Sequence, residues 1–179
     1  MTFQKLRGEE MNRLSPEAFR AAEKFPISVL LQNIRSMWNV GAIFRSCDAA
    51  RVEKVIITGY TATPPRKEID KTALGATEWV AWEYVQNPLD AITKLKATGV
   101  KIAALEITTH TIRYDSLSKQ HFPLCLIVGN EVSGIDDNVL AMCDLALEIP
   151  QYGVKHSLNV AVSVGIALFE LIKASQRIA

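Results

Sequence analysis

From residue 27 to the end of the chain, short β-branched and aliphatic runs alternate with stretches of helical periodicity, and this alternation restricts the fold more than any other feature. The pattern predicts strands over 27–31, 54–58, 101–106, 123–128 and 145–149, with an extended segment over 79–85. Between them it predicts helices from Asn39 to about Ala50, over 67–74, over 88–98 with Gly99 as the stop, over 136–143, and over 157–175. Strands connected through helices pair in parallel, so the expected class is α/β: a mostly parallel sheet flanked by helices, with ligands beyond the carboxyl ends of the strands. A chain of 179 residues that is 49% hydrophobic can bury one substantial core but leaves no room for a second large domain. Residues 1–25 are polar and charged and are expected to be an arm, in which Ser15 and Pro16 start a short helix to Ala22; residues 26–179 are expected to be the single domain.

Charge and cysteine usage narrow the classes further. Lys and Arg total 20 against 19 Asp and Glu, a net charge of +1, so affinity for nucleic acid has to come from local patches. Cys47, Cys125 and Cys143 are far apart and form neither a CxxC pair nor a zinc-ligand spacing with His, which predicts reduced thiols and no metal. The N-terminal MTFQKLRGEEMNRL lacks the apolar run of a secretory signal, and the expected location is the cytoplasm. The most apolar stretch, Leu158 to Phe169, is well short of the ~20 residues of a spanning helix, so no membrane partner is expected. That last helix is apolar or small on nearly every side and must be covered all round; in so small a domain one flank would stay bare, which predicts a homodimer through the C-terminal helix.

Three segments fall at predicted strand ends or helix starts. In the first, Asn39-Val-Gly-Ala-Ile-Phe-Arg45, Asn39 suits a helix N-cap and Arg45 is expected roughly on the same side of the helix; a capped helix with a surface arginine is the plainer reading. In the second, Gly129-Asn130-Glu131-Val132-Ser133-Gly134, two glycines after an apolar strand let the backbone turn tightly and approach a ligand, although an ordinary strand-to-helix turn has the same composition. It is neither a Walker A loop nor a dinucleotide GxGxxG fingerprint, which disfavours a phosphate cradle and a dehydrogenase. In the third, Ile149-Pro150-Gln151 leads through Gly153, Lys155 and His156 to Ser157-Leu158-Asn159, where Ser157 and Asn159 are ordinary capping residues taken alone.

Together and in this order, the three segments resemble the motifs of the SpoU (TrmH-like) family of RNA ribose 2′-O-methyltransferases, within the SPOUT superfamily. The matching residues are Asn33 through Arg45 with the core Asn39-x-Gly41-Ala42-Ile43-x-Arg45, then Leu126 to Gly129-Asn130-Glu131-x-x-Gly134, then Ile149-Pro150 followed by Ser157-Leu158-Asn159-Val160-Ala161 and Glu170, and the likeness covers about residues 27–173. Gln151 stands where many relatives have Met, and only a short arm stands where some have a separate RNA-binding domain. The resemblance implies a C-terminal trefoil knot, S-adenosylmethionine as methyl donor and structured RNA, transfer or ribosomal, as partner. It implies that Arg45, Asn39, Glu131, Ser157 and Asn159 are catalytic, and that Leu105, Gly129, Asn130, Gly134, Ile149, Gln151 and Leu158 hold the donor, largely through backbone groups.

Within that resemblance, an arginine remains protonated in water, so Arg45 is expected to stay charged, grip RNA phosphate and stabilise the developing alkoxide rather than act as a base. Asn39 is expected to orient Arg45 or the ribose, and Glu131 to anchor the site, with reach across a dimer. The expected RNA patch comprises Arg35, Arg66, Lys67, Lys71, Arg113, Lys155 and His156 in loops or at element ends. Two alternatives stay open: a non-catalytic RNA-binding or assembly protein of the same fold, and a SPOUT enzyme that methylates a base.

Overall fold

The computed structural model describes residues 2–11 and 13–176. A short helix α1 (Pro16–Ala21) precedes strand β1 (Phe25–Gln32), helix α2 (Met37–Ala49), strand β2 (Val52–Thr58) and helix α3 (Lys67–Ala73). Strand β3 (Trp82–Val85), helix α4 (Pro88–Ala97), strand β4 (Lys101–Leu105) and the two-residue strand β5 (Ile112–Arg113) follow. Strand β6 (Leu124–Val128), helix α5 (Asp137–Leu140), strand β7 (Leu145–Glu148) and helix α6 (Val160–Gln176) complete the chain.

The seven strands form one sheet in the order β3-β2-β1-β6-β4-β7-β5, and each paired neighbour is parallel. Successive side chains of a strand point to opposite faces, and the central strands are apolar on both. Val29, Leu31, Leu126 and Ala103 pack on one face with Val40, Phe44 and Cys47 of α2 and Val164, Leu168 and Leu171 of α6. Leu30, Cys125, Ile127, Ile102 and Ala104 pack on the other with Ala91, Ile92 and Leu95 of α4 and Val139 of α5. Burial holds all three thiols protonated: that of Cys47 is raised, that of Cys125 pushed up to about 12 and that of Cys143 to about 11. No helix among the described residues is long and apolar enough to cross a membrane.

Local chemistry explains where the elements stop and where the sequence pattern misplaces them. Ser15 accepts from Ala18 N at 3.1 Å and starts α1, and Gly99, at φ 81°, ends α4 as the pattern requires. The N-cap of α2 is Ser36, not Asn39: its hydroxyl accepts from Asn39 N at 3.3 Å, which places Asn39 inside the first turn. Helix α6 begins at Val160 rather than Ser157, because Asn159 Oδ1 accepts from Ala161 N and Val162 N and leaves 157–158 in the preceding loop. Strand β3 starts at Trp82, since residues Ala76–Glu78 form a 3-10 turn and the Trp79 indole donates to Asp48 Oδ1 at 2.8 Å instead of joining the sheet. Helix α5 is one turn shorter at its end than the pattern over 136–143 suggests, and β5 is too short to leave a periodic signal.

Gly41 lies where α2 crosses α3, and a Cβ there would collide with Ile69 O and the Thr72 hydroxyl. The motif glycine therefore serves a helix contact. Replacing Gly41 with Ala should lower stability by ~1–3 kcal/mol through overpacking, read as a shifted midpoint in urea denaturation; an unshifted midpoint would remove this role.

Candidate active site

Strand order reverses between β1 and β6, the position at which an open parallel sheet leaves a crevice at its carboxyl edge. The loops leaving these two strands are stitched together there. Glu131, after β6, accepts from Arg35 N at 2.9 Å, Ser36 N at 3.1 Å and Asn39 Nδ2 at 2.8 Å, all after β1. Asn39 Oδ1 in turn accepts from Asn159 Nδ2 at 3.0 Å, and Asn159 caps α6 with its other atom. Three residues expected in the catalytic set, Asn39, Glu131 and Asn159, thus form one hydrogen-bonded chain across the starts of α2 and α6.

The glycine-bracketed turn is held from inside. Asn130 and Gly134 exchange backbone hydrogen bonds of 3.0 and 2.9 Å, and Asn130 Oδ1 accepts from Val132 N and Ser133 N. Asn130 Nδ2 donates to Asn33 O at 3.0 Å and to the Tyr60 hydroxyl at 2.7 Å. Gly134 sits at φ 71°, in the left-handed region, with Glu106 packed where a Cβ would be. A Cβ on Gly129 would overlap the backbone of Gly134 and Ile135. Both glycines are required by the turn itself.

Behind this turn lies a cavity of about 300 Å³ at the carboxyl ends of β6, β4 and β7. Leu105, Gly129, Asn130, Gly134, Ile149, Gln151 and Leu158 all line it, as do Glu131, Ser157 and Asn159. Its carboxylates are Glu106, Glu131 and Glu148, with His156 at the rim. Glu106 Oε2 accepts from Ile135 N at 3.2 Å and Glu148 Oε2 from the Thr111 hydroxyl at 2.7 Å, so both are fixed in place. Such a lining attracts a cationic, partly apolar ligand. Gln151 Nε2 donates to Ile149 O at 2.7 Å, so that carbonyl already has a partner.

Arg45 is not in this cavity. Six residues along a helix amount to ~600°, which leaves Asn39 and Arg45 ~120° apart rather than on one side. Arg45 is exposed and lines a separate groove beside Arg13, Arg51 and Trp79, with no hydrogen bond or ion pair to any described residue. The expected basic patch also divides. Arg35, Arg66, Lys67 and Lys71 are exposed, the last two on α3 and Lys71 Nζ 5.4 Å from the centre of the Trp38 ring. Arg113 belongs to β5 and is bound by Asp115 at 3.0 and 2.8 Å, while Lys155 and His156 lie in the exposed loop before α6. The sequence reading gave no role to Asn33 and Ser36, although both fall within the first motif, and it missed Tyr60 and Glu106. Ser36, three residues before Asn39, carried a readable capping signal; the others act through contacts distant in sequence.

Partial burial pushes the Glu131 carboxyl up, but the hydrogen bonds from Arg35 N, Asn39 and Ser36 N outweigh it and hold its pKa below the ordinary 4.5. A carboxylate depressed in the folded state adds stability that is complete above the unfolded value and is lost as pH falls through the folded one. Melting temperature followed downward from neutral pH should therefore drop less steeply below pH 4.5 in Glu131→Gln than in the parent chain; parallel curves would discount the tether.

Comparison with known proteins places this arrangement in a family. The SpoU rRNA Methylase family model matches residues 26–169. A tRNA (guanosine(18)-2′-O)-methyltransferase of Aquifex aeolicus is 32% identical over 143 residues, 79% of this chain and 66% of that protein. A 23S rRNA (guanosine-2′-O-)-methyltransferase RlmB of Vibrio parahaemolyticus is 30% identical over 172 residues, 96% of this chain and 68% of that protein. The chain thus spans about two thirds of the length of these curated relatives. Among solved structures, the Aquifex aeolicus TrmH/SpoU tRNA modifying enzyme superimposes with a TM-score of 0.79 at 26% identity, over 89% of this chain and 81% of that one. An AdoMet-bound rRNA methyltransferase from Sinorhizobium meliloti does so with a TM-score of 0.79 at 29% identity, over 90% of this chain and 61% of that one. With the family model covering most of the chain and both motif turns lining one cavity, the chain belongs to the SpoU rRNA methylase family.

Proposed function

We propose that this chain transfers the methyl group of S-adenosylmethionine to a ribose 2′-hydroxyl of a structured RNA, transfer or ribosomal, in the cytoplasm. The observation that carries the proposal is the acidic cavity behind the Gly129–Gly134 turn, joined through Glu131 to Asn39 and Asn159. The donor fits the residues present: three carboxylates suit its positive charge, and Leu105, Leu147, Ile149 and Leu158 give the cavity the apolar wall that its uncharged parts need. When bound, S-adenosylmethionine supplies a methyl group on a good leaving group, and the protein's task is alignment and activation of the hydroxyl. Leu105, Gly129, Ile149 and Leu158 line the donor's seat, with Ser157 and Asn159 toward the reacting side. Asn39 and Glu131 fix the start of α2 and hold Asn159 in position.

Arg45 completes the site from a second copy of the chain. On α6, Val162, Ile166 and Phe169 recur at helical spacing and remain 50%, 37% and 54% exposed, an uncovered apolar stripe that supports a homodimer through this helix. In that dimer the guanidinium of one protomer meets the RNA at its partner's cavity, holding a phosphate and stabilising charge on the 2′ oxygen while the proton leaves to phosphate or water. The trefoil threading that the family resemblance implies belongs to the same proposal.

Digesting RNA treated with the protein and labelled S-adenosylmethionine to nucleosides should yield a 2′-O-methylnucleoside; label on a base, or none at all, would favour the base-methylating or non-catalytic alternative. Gly129→Val should abolish donor binding in calorimetry, since its side chain has to enter Gly134 and Ile135; an unchanged affinity would displace the donor from this turn. Mixing Arg45→Ala with Gly129→Val protomers should recover activity that neither has alone, because each heterodimer holds one complete site. Failure of refolded mixtures to recover it would place Arg45 and the donor in the same protomer.

A further inference from the structure

A groove of about 730 Å³ between the N-terminal arm, α2 and the end of α3 shares no lining residue with the donor cavity. Arg13, Arg45 and Arg51 line it, with Phe19, Phe25 and Trp79 as its aromatic walls. None of the three arginines forms an ion pair among the described residues. The acid among the lining residues, Asp48, accepts from the Trp79 indole at 2.8 Å. Arg51 stands out twice. Its backbone has φ 47°, a left-handed conformation that glycine adopts freely and arginine only with strain, and its Nε is buried without a hydrogen-bond partner. Its guanidinium is held 5.1 Å from the Phe25 ring centre, so the donor is oriented rather than loose.

A chain that keeps a strained arginine where glycine would be relaxed, and leaves its buried donor unmet, is built for an anion absent from the protein itself. We propose that this groove binds the phosphate backbone of the substrate RNA beside the target nucleotide, with Arg13 and Arg51 as phosphate ligands and the arm as one wall. The proposal rests on the ribose-methylation reading, which puts Arg45 of the same groove at the target. Aromatic walls beside three guanidinium groups that have no ion pair among the described residues suit a nucleotide, whose anionic and planar parts both find partners.

Arg51→Gly tests it, because glycine relieves the backbone strain while removing the charge. With an in vitro transcribed transfer RNA as probe, the variant should melt no lower than the parent and bind S-adenosylmethionine equally well. Its RNA affinity should fall by ~10-fold, and the slope of log affinity against log salt should shrink by ~1. Arg13→Ala, in the exposed arm, should show the same loss of slope. RNA affinity and salt slope unchanged in both variants would overturn the proposal, and a lowered melting temperature with unchanged RNA binding would mark Arg51 as merely structural. If the parent chain forms no 2′-O-methylnucleoside, the methylation reading fails; if it does while both variants bind RNA normally, only the groove assignment fails.

Discussion

A carboxylate that accepts two backbone N–H groups and one carboxamide from the neighbouring loop fixes two chain segments at a single point, and Glu131 does this where the sheet changes direction. Parallel strands leave their loops at the same edge with no hydrogen bonds of their own, so such an edge is disordered unless side chains supply partners. Here Glu131 and Asn130 supply them, one reaching the start of α2 and the other Asn33 and Tyr60. The cavity behind the turn owes the shape of that wall to these contacts, while the strand ends opposite are fixed by the sheet and the loop before α6 closes the remaining side.

The motif glycines divide between different jobs. Gly41 permits a close helix crossing, Gly129 permits a turn to fold onto itself, and Gly134 adopts a conformation that other residues resist. A glycine in a shared motif is therefore a statement about local space before it is one about ligands. The acidic side chains show the reverse arrangement: Glu106 and Glu148 are tied by ordinary hydrogen bonds, yet both face the cavity and give it its charge.

The alternation of apolar runs made the parallel sheet legible, because every central strand is buried on both faces and so reads as a continuous apolar segment. The glycine-bracketed turn and the loop from Ile149 to Asn159 were legible as motifs, and they line one cavity. What the pattern could not carry was angle and partnership. Asn39 looked like a cap because its side chain suits one, yet Ser36 takes that position and frees Asn39 for Glu131 and Asn159. Arg45 looked adjacent to Asn39 because six residues span nearly two turns, but the remainder of a turn sends it to another groove. The two-residue β5 and the role of Glu106 depend on contacts with distant segments, which no local window contains.

Between Gln151, anchored on Ile149, and Asn159, anchored on Asn39, the chain from 152 to 158 is exposed throughout, with Val154 92% exposed. Helix α6 beyond it is secured independently by Val164, Leu168 and Leu171 in the core. A single proteolytic nick in this span would leave the sheet, its helices and the apolar stripe of α6 in place while cutting one wall of the cavity loose. Integrity of the fold and integrity of the cavity thus part company at one stretch of backbone, and a preparation can pass every test of foldedness with that cavity already broken open.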